Sequence, residues 1–341
     1  MAVLDGMLAA AGNAAHRVLG GGFADLTPWP RELVDSGRAR RLYHCDSAET
    51  GAPVLLVPPL GVPDSPYDLR RGCSLVEHLA PQRPTYLLDY GPMGFAERGL
   101  GLEHWVDEVL PAAVDAVRER TGQAPHLVGW CFGGILSVLA AARLDVDAIA
   151  SLTVVASPFD FTKVPLLMPL RPVVAATGGH VFTPVYRALG TIPAPLVRAV
   201  FQISALDRQL TKPFAVAAHL HDRDYLAQIE AVERFTATMT AYPGRTIAQI
   251  YHRFYRENAL AQGSIEIGGT RVDLAAAKQR TLLIAGRSDT IAPRRSVAAL
   301  LDVLPDAEVE FTTAKGGHLG VLTGRAARTE VWPLIDRHIS G

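Results

Sequence analysis

Short segments that favour strands alternate with segments of helical periodicity along most of the chain. Helices are predicted at residues 72–80 and 102–122, where apolar side chains recur every three or four positions. Predicted strands, each bounded by Gly, Pro or polar turn residues, lie within residues 38–45, 52–61, 85–91, 126–130, 148–161, 280–293 and 307–320. Apolar strands that alternate with helices predict an α/β fold with a mostly parallel sheet covered by helices on both faces.

The alternation breaks between residues 162 and 255, which are first Pro-rich and then helical and charged. We predict that this stretch forms a cap inserted over the carboxyl edge of the sheet. The predicted organisation is therefore a partly helical leader at 1–36, an α/β core at 37–161 and 256–341, and a cap at 162–255. The segment IEIGGTRVDL, with two adjacent glycines, predicts a hairpin where the cap returns to the core.

Composition narrows the class of protein. With 49% hydrophobic and 20% charged residues among 341, the chain is typical of a well-packed globular enzyme. A net charge of −1 gives no electrostatic basis for nucleic acid as a partner. We find no signal-peptide pattern and no segment apolar enough to span a membrane, so we expect a cytoplasmic protein.

The three cysteines, Cys45, Cys73 and Cys131, lack the spacing of a disulfide framework or a zinc site. The group His219, His221, Asp222 and Asp224 resembles a metal cluster, but His219 and His221 point to different sides of a helix. No metal and no cofactor are therefore expected.

A Gly-flanked cysteine between a predicted strand and a predicted helix is the strongest chemical signal. The sequence from Gly129 through Cys131 to Gly133 is G-x-C-x-G, which matches the nucleophile elbow of the α/β-hydrolase fold with cysteine in place of the usual serine. The helix amino terminus should stabilise a thiolate at Cys131, and the backbone N–H of Phe132 should face a developing oxyanion. A buried, inert cysteine in a tight turn is the alternative for this motif alone.

Two further strand-end loops follow in the order nucleophile, acid, histidine. Asp289 comes after the strand TLLIAG, and His318 comes after the next strand. We predict that His318 takes the thiol proton of Cys131 and that Asp289 orients the imidazole.

Several longer segments resemble the polyhydroxyalkanoate synthases, particularly the short class III catalytic subunits. They are VPPLG, SPYDLRRGCSLVEHL, YLLDYG, GWCFGG, ASPFDF, LTKPFAV, RFYRENALAQGSIEIGGTRVDL, GRSDTIAP and GGHLGV. The resemblance places the family's catalytic cysteine, aspartate and histidine on Cys131, Asp289 and His318. It implies transfer of 3-hydroxyacyl groups from acyl-CoA through an acyl-cysteine to a hydroxyl. A second oxyanion N–H is expected at Leu60 or Gly61. The resemblance also suggests a homodimer or a helper subunit.

This chain departs from the family pattern near the expected acyl site. Thr290 follows Asp289 where the synthases usually have His, and Leu60-Gly61-Val62 stands where they usually follow Pro-Pro-x with an Ile-Asn pair. The segment VERFTATMTAYPG lacks the family's tryptophan. Three alternatives therefore stay open: a single-transfer acyltransferase that uses acyl-CoA or an acyl carrier protein, a thioesterase or esterase, and a catalytically silent binding subunit.

Overall fold

A computed structural model describes residues 2–170, 190–204 and 206–341. The strands of the main sheet are β1 (Arg31–Gly37), β2 (Arg40–Cys45), β3 (Val54–Val57), β4 (Thr85–Asp89), β5 (His126–Trp130), β6 (Ser151–Val155), β11 (Thr281–Gly286) and β12 (Val309–Ala314). Two short pairs complete the described strands: β7 (Thr191–Ile192) with β8 (Tyr242–Pro243), and β9 (Ser264–Ile267) with β10 (Thr270–Asp273).

The described helices surround this sheet and fill the cap region. They are α1 (Ala2–Leu19), α2 (Leu75–Leu79), α3 (Leu110–Thr121), α4 (Phe132–Ala141), α5 (Ala194–Ser204), α6 (Leu206–Ala218), α7 (Arg223–Ala237), α8 (Gly244–Gln249), α9 (Arg294–Val297), α10 (Gly320–Thr323), α11 (Ala327–Glu330) and α12 (Trp332–Ser340). A π-helical turn precedes α3 at His104–Val109, and another continues α8 at Ile250–Arg256.

The main sheet has the strand order β1-β2-β4-β3-β5-β6-β11-β12. Pairs β1/β2 and β2/β4 are antiparallel, and the remaining neighbours are parallel. The predicted mostly parallel sheet is therefore confirmed. The hairpin is also present, with Gly268 and Gly269 between β9 and β10.

Strand β1 was not among the predicted strands, and it begins at Arg31, inside the segment assigned to the leader. It is an edge strand in which no residue is fully buried. An exposed edge needs no apolar alternation, so the sequence pattern that marks buried strands is missing.

The central parallel strands β3, β5, β6 and β11 are buried almost throughout. Because parallel neighbours all point the same way, the loops after β5, β11 and β12 lie at one edge of the sheet. These are the loops that carry Cys131, Asp289 and His318. The topology thus brings together residues that are far apart in the sequence.

The described part of the predicted cap, residues 162–255, contains α5, α6, α7 and α8, and residues 171–189 and 205 lie outside the described residues. Helix α7 contacts the core along its length, with Phe235 buried near its carboxyl end and polar contacts at its amino-terminal turns. Asp224 accepts from Arg70 at 2.7 Å and from Arg328 at 3.2 Å, and Gln228 donates to the Thr323 carbonyl at 3.0 Å.

None of the described helices is long and apolar enough to cross a membrane.

Candidate active site

Cys131 occupies a strained turn between β5 and α4. Its backbone has φ = +55° and ψ = −124°, a region that non-glycine residues rarely adopt. Its amide donates to the Val155 carbonyl at 2.9 Å, which holds the turn against β6. The thiol is free and partly accessible. The sharp turn therefore presents the side chain at the sheet edge instead of burying it.

The glycines on either side of Cys131 allow the helix to begin directly against the sheet. A Cβ on Gly129 would lie 2.5 Å from the Cα of Gly134, and one on Gly133 would lie 2.1 Å from the Val57 carbonyl oxygen. Either contact is shorter than real Cβ atoms tolerate. The G-x-C-x-G spacing is thus explained by packing at this turn.

His318 and Asp289 form a buried pair beside this turn. His318 Nδ1 lies 2.8 Å from Asp289 Oδ2, and the two side chains are 6% and 0% exposed. The other carboxylate oxygen of Asp289 accepts from the amides of Ile291 at 2.8 Å and Ala292 at 2.9 Å. With both oxygens occupied, the carboxylate cannot rotate away from the imidazole.

The electrostatic setting of His318 favours the imidazolium. Burial alone would lower its pKa, but the negative charges of Cys131 and Asp289, together with their hydrogen bonds, outweigh burial and raise the pKa to about 10. His318 Nε2 is buried and makes no hydrogen bond of standard geometry within the described residues. On this side of the ring, the nearby Cys131 raises the pKa of His318. Hydrogen bonds of this kind are often loose before substrate binds.

Trp130 and Phe201 pack beside the imidazole from other directions, and Phe235 packs against Trp130. The Trp130 indole N–H donates to the His318 carbonyl at 2.9 Å, and its ring centroid lies 5.1 Å from the imidazole centroid. Phe201 of α5 packs 6.3 Å from the imidazole, and Phe235 of α7 packs 6.3 Å from Trp130. The cap therefore supplies an apolar roof over the pair.

The predicted oxyanion residues lie on two segments that pack together. Phe132 begins α4, and Leu60 and Gly61 lie in the loop after β3. Gly61 has φ = +76°, and its carbonyl accepts from the Thr240 amide at 2.9 Å. Among the described residues, no acceptor is recorded for the amides of Leu60 and Gly61.

Tyr242 is a residue near the site that the sequence reasoning missed. Its ring packs directly against Gly61, and burial together with the charge of Cys131 raises the pKa of its phenol. The sequence offered only one signal, which is an aromatic residue before Pro243 in the segment that departs from the family motif.

A cavity of about 900 Å³ opens between the cap and the core on the His318 side. Its apolar wall includes Phe201, Ile229 and Val232 from the cap and Leu319 from the core. Polar groups from Arg198, Lys212, Glu233 and Thr290 also line it. A cavity of this size can hold a substantial part of an acyl thioester.

The group of His219, His221, Asp222 and Asp224 resembles a metal cluster in the sequence, but its two carboxylates form ion pairs with arginines. Asp222 caps α7 by accepting from the Tyr225 amide at 2.9 Å and also accepts from Arg325 at 2.6 Å. Asp224 is paired with Arg70. Within the described residues, no group of three or more His, Cys, Asp or Glu side chains is placed to hold a metal ion.

Comparison with known proteins agrees with the motifs. The chain is 26% identical over 325 residues to the poly(3-hydroxyalkanoate) polymerase subunit PhaC of Haloferax mediterranei, a match that covers 90% of this chain and 63% of that protein. It is 26% identical over 345 residues to the PhaC subunit of Allochromatium vinosum, covering 96% of this chain and 93% of that protein. The chain thus spans less than two thirds of the length of the first relative and nearly the full length of the second. The resemblance to polyhydroxyalkanoate synthases is confirmed.

Solved structures and family models agree on the fold. A variant of the meta-cleavage product hydrolase CumD superimposes with a TM-score of 0.53 at 16% identity, covering 92% of this chain and 98% of that one. A model of the alpha/beta hydrolase fold matches residues 53–325. This chain therefore belongs to the α/β-hydrolase fold family, and its sequence is similar to those of the PhaC polymerase subunits.

Proposed function

We propose that this protein is a cysteine-dependent acyltransferase of the polyhydroxyalkanoate synthase type. It would move 3-hydroxyacyl groups from acyl-CoA, through a thioester on Cys131, to a hydroxyl. The observation that carries this proposal is the buried His318–Asp289 pair, 2.8 Å apart, placed beside a cysteine on a nucleophile elbow. The similarity to PhaC subunits supports the choice of substrate class.

The first step is acylation of Cys131. The thiolate attacks the thioester carbonyl, and the oxyanion forms near the amide of Phe132. The carbon–sulfur bond to coenzyme A then breaks, and the imidazolium of His318 gives its proton to the departing thiolate. Exchange of one thioester for another is nearly balanced in free energy, so cysteine suits this step better than serine.

Acylation also changes the role of His318. Its pKa of about 10 depends partly on the negative charge of Cys131, and that charge disappears when the thioester forms. Loss of that charge lowers the pKa of His318, so more of the imidazole is neutral and able to accept a proton at neutral pH, with Asp289 still holding its Nδ1 proton.

The second step is transfer to the acceptor. His318 Nε2 takes the proton of the acceptor hydroxyl, the hydroxyl oxygen attacks the acyl carbonyl, and Cys131 leaves as a thiolate. When the acceptor is the 3-hydroxyl of another acyl thioester, the product is a longer thioester that can acylate Cys131 again. The apolar roof of Phe201 and Phe235 favours this outcome because it limits access of water to the intermediate.

Intact-protein mass spectrometry tests the proposal directly. The purified chain is mixed with 3-hydroxybutyryl-CoA and followed over time beside Cys131→Ala. We expect the mass of the chain without a substitution to grow by repeated monomer units and the mass of Cys131→Ala to stay constant. A single stable adduct would instead identify a one-step acyltransferase, and free acid without an adduct would identify a thioesterase.

Absence of any reaction with the coenzyme A thioester would overturn the proposed donor. Repeating the reaction with the same acyl group on an acyl carrier protein then separates a carrier-protein donor from a silent subunit. Cys45→Ala is the matched control, since Cys45 is fully buried and burial raises the pKa of its thiol to about 12. Its adduct pattern should equal that of the unmodified chain.

A further inference from the structure

Tyr242 lies against the loop in which the second oxyanion donor is expected. A Cβ on Gly61 would lie only 1.9 Å from Cε2 of Tyr242, so the ring fills the space that a side chain at position 61 would occupy. The amide of Thr240, two residues before Tyr242, donates to the Gly61 carbonyl at 2.9 Å. Loop and tyrosine are therefore held together by both main-chain and ring contacts.

The same loop packs on the turn that carries the nucleophile. The position of a Cβ on Gly133 is 2.1 Å from the Val57 carbonyl oxygen and 2.8 Å from the carbonyl carbon of Pro58. Gly133 is two residues from Cys131, and Pro58 is three residues from Gly61. The ring of Tyr242 is thus linked to the nucleophile turn through one tightly packed loop.

Three tyrosines surround this loop, and two of them use their hydroxyls within the protein. The Tyr67 hydroxyl lies 2.9 Å from the Val57 carbonyl and 2.7 Å from the Val128 carbonyl, and donates its one proton between them. The Tyr90 hydroxyl donates to the Pro58 carbonyl at 2.9 Å. The Tyr242 hydroxyl has no hydrogen-bond acceptor within the described part of the chain. No protein group there competes for its proton.

The two sides of the site have different surroundings. The cavity opens on the side of His318 and Thr290, and neither Gly61 nor Tyr242 lines it. Leaving and accepting groups, which exchange protons with His318, belong on the cavity side. The acyl oxygen belongs on the side of the amides of Phe132 and Gly61.

We propose that the Tyr242 hydroxyl is an oxyanion donor, which hydrogen-bonds the acyl oxygen as it becomes negative in both transfer steps. The proposal rests on the proposed role of Cys131 as the nucleophile. Burial and the nearby charge of Cys131 raise the pKa of the phenol, so it stays protonated and acts as a donor at neutral pH. A donor fixed in advance in a water-poor site stabilises developing charge without reorganisation.

Tyr242→Phe tests the proposal because it keeps the ring against Gly61 and removes only the hydroxyl. Acylation of Cys131 by p-nitrophenyl acetate is followed as the first-turnover release of nitrophenolate, which needs no recognition of coenzyme A. We expect acylation to slow by about 100-fold, the usual effect of losing one oxyanion donor. Alkylation of Cys131 by iodoacetamide forms no oxyanion, so its rate should stay within about twofold of the unmodified chain.

Tyr90→Phe is the matched control, since it removes a hydroxyl that donates to Pro58 of the same loop and has no proposed role toward the substrate. Its acylation rate should stay close to that of the unmodified chain. Acylation of Tyr242→Phe within about threefold of the unmodified rate would overturn the proposal. An equal fall in acylation and alkylation would also overturn it, because both would then report a disturbed cysteine.

If the proposed polymerase function fails, the experiments give a different result from the one expected if Tyr242 is not an oxyanion donor. The unmodified chain would then release nitrophenolate normally but form no polymer from 3-hydroxybutyryl-CoA, and the comparison between Tyr242→Phe and Tyr90→Phe would remain readable.

Discussion

In the core, Cys131 and Asp289 are held by main-chain hydrogen bonds, and His318 is held by Asp289 and by Trp130. Helix α7, in contrast, is bound to the core by ion pairs of Asp224 at its amino-terminal end as well as by the buried side chain of Phe235. The two kinds of attachment differ in their response to solvent. Buried main-chain hydrogen bonds are shielded from salt, while partly exposed ion pairs contribute little and weaken with salt.

The difference suggests a division of labour between the two regions. Under the proposed function, the core would determine which bond is made and broken, and the predicted cap would determine which acyl groups reach it. Substitutions in the core should therefore change the chemical step, and substitutions at the cap junction should mainly change substrate affinity.

The strongest test of the core is Cys131→Ser. Serine lacks a readily formed anion at neutral pH and exchanges acyl groups with a thioester less favourably than cysteine does. We expect release of coenzyme A to fall by at least about 10³-fold, measured as free thiol. Cys73→Ser serves as a control at a buried cysteine whose thiol donates to the Thr323 carbonyl and has no proposed role in the mechanism. Retained turnover in Cys131→Ser would contradict the role of a thiolate.

His318→Gln should reveal what the imidazolium contributes to the reactivity of Cys131. In the unmodified chain, the raised pKa of His318 keeps a positive charge beside Cys131 at neutral pH. The variant lacks that charge, so alkylation of Cys131 by iodoacetamide near pH 6.5 should be about 100-fold slower than in the unmodified chain. Equal rates would argue against the pair.

The same variant has a consequence for stability. The folded-state pKa of His318 lies above its ordinary value of 6.5, so its contribution to the free energy of unfolding is fully present below that pH and is lost as pH rises through about 10. The difference in melting temperature between the unmodified chain and His318→Gln should accordingly be largest in mildly acidic buffer and shrink in alkaline buffer.

Gly133→Ala tests the close packing of the elbow. The added methyl group would meet the Val57 carbonyl at 2.1 Å, so α4 must move away from β3. We expect a loss of about 3 kcal/mol in the free energy of unfolding, read from urea denaturation. Gly12→Ala on α1 has open space around it and should change stability by no more than about 1 kcal/mol. Equal effects would show that the elbow is not specially constrained.

The smallest effect is expected at the cap. Asp224→Asn removes the charge that pairs with Arg70, Arg325 and Arg328, but its side chain is 40% exposed and solvent screens it. We expect the KM for acyl-CoA to rise about threefold, with kcat and Cys131 alkylation within about twofold of the unmodified chain. A large fall in kcat would show that the attachment of α7 to the core also affects the chemical step.

Much of the core could be predicted from the sequence because buried parallel strands require apolar runs and the elbow requires glycines. Glycine is required at positions 129 and 133 because neighbouring main-chain atoms lie too close for a residue with a Cβ. The loops after β11 and β12 could be placed because parallel strands share one carboxyl edge. The structure places Asp289 and His318 there, 2.8 Å apart.

Other features left little or no trace in the sequence. Strand β1 is an exposed edge, so its pattern of apolar residues is weak. Tyr242 reaches Gly61 only because the cap returns to the core, and a contact across about 180 positions has no local periodicity. The π-helical turn at His104–Val109 was predicted as ordinary helix because both forms bury the same face.

The left-handed backbone of Cys131 has an evolutionary consequence. Every residue with a Cβ is strained at φ = +55°, whereas glycine is not, so the backbone of this turn favours glycine, which has no thiol. Selection for heat resistance alone would therefore favour replacement of Cys131 by glycine. Persistence of cysteine at this position would then depend on selection for turnover, in opposition to selection for the stability of the fold.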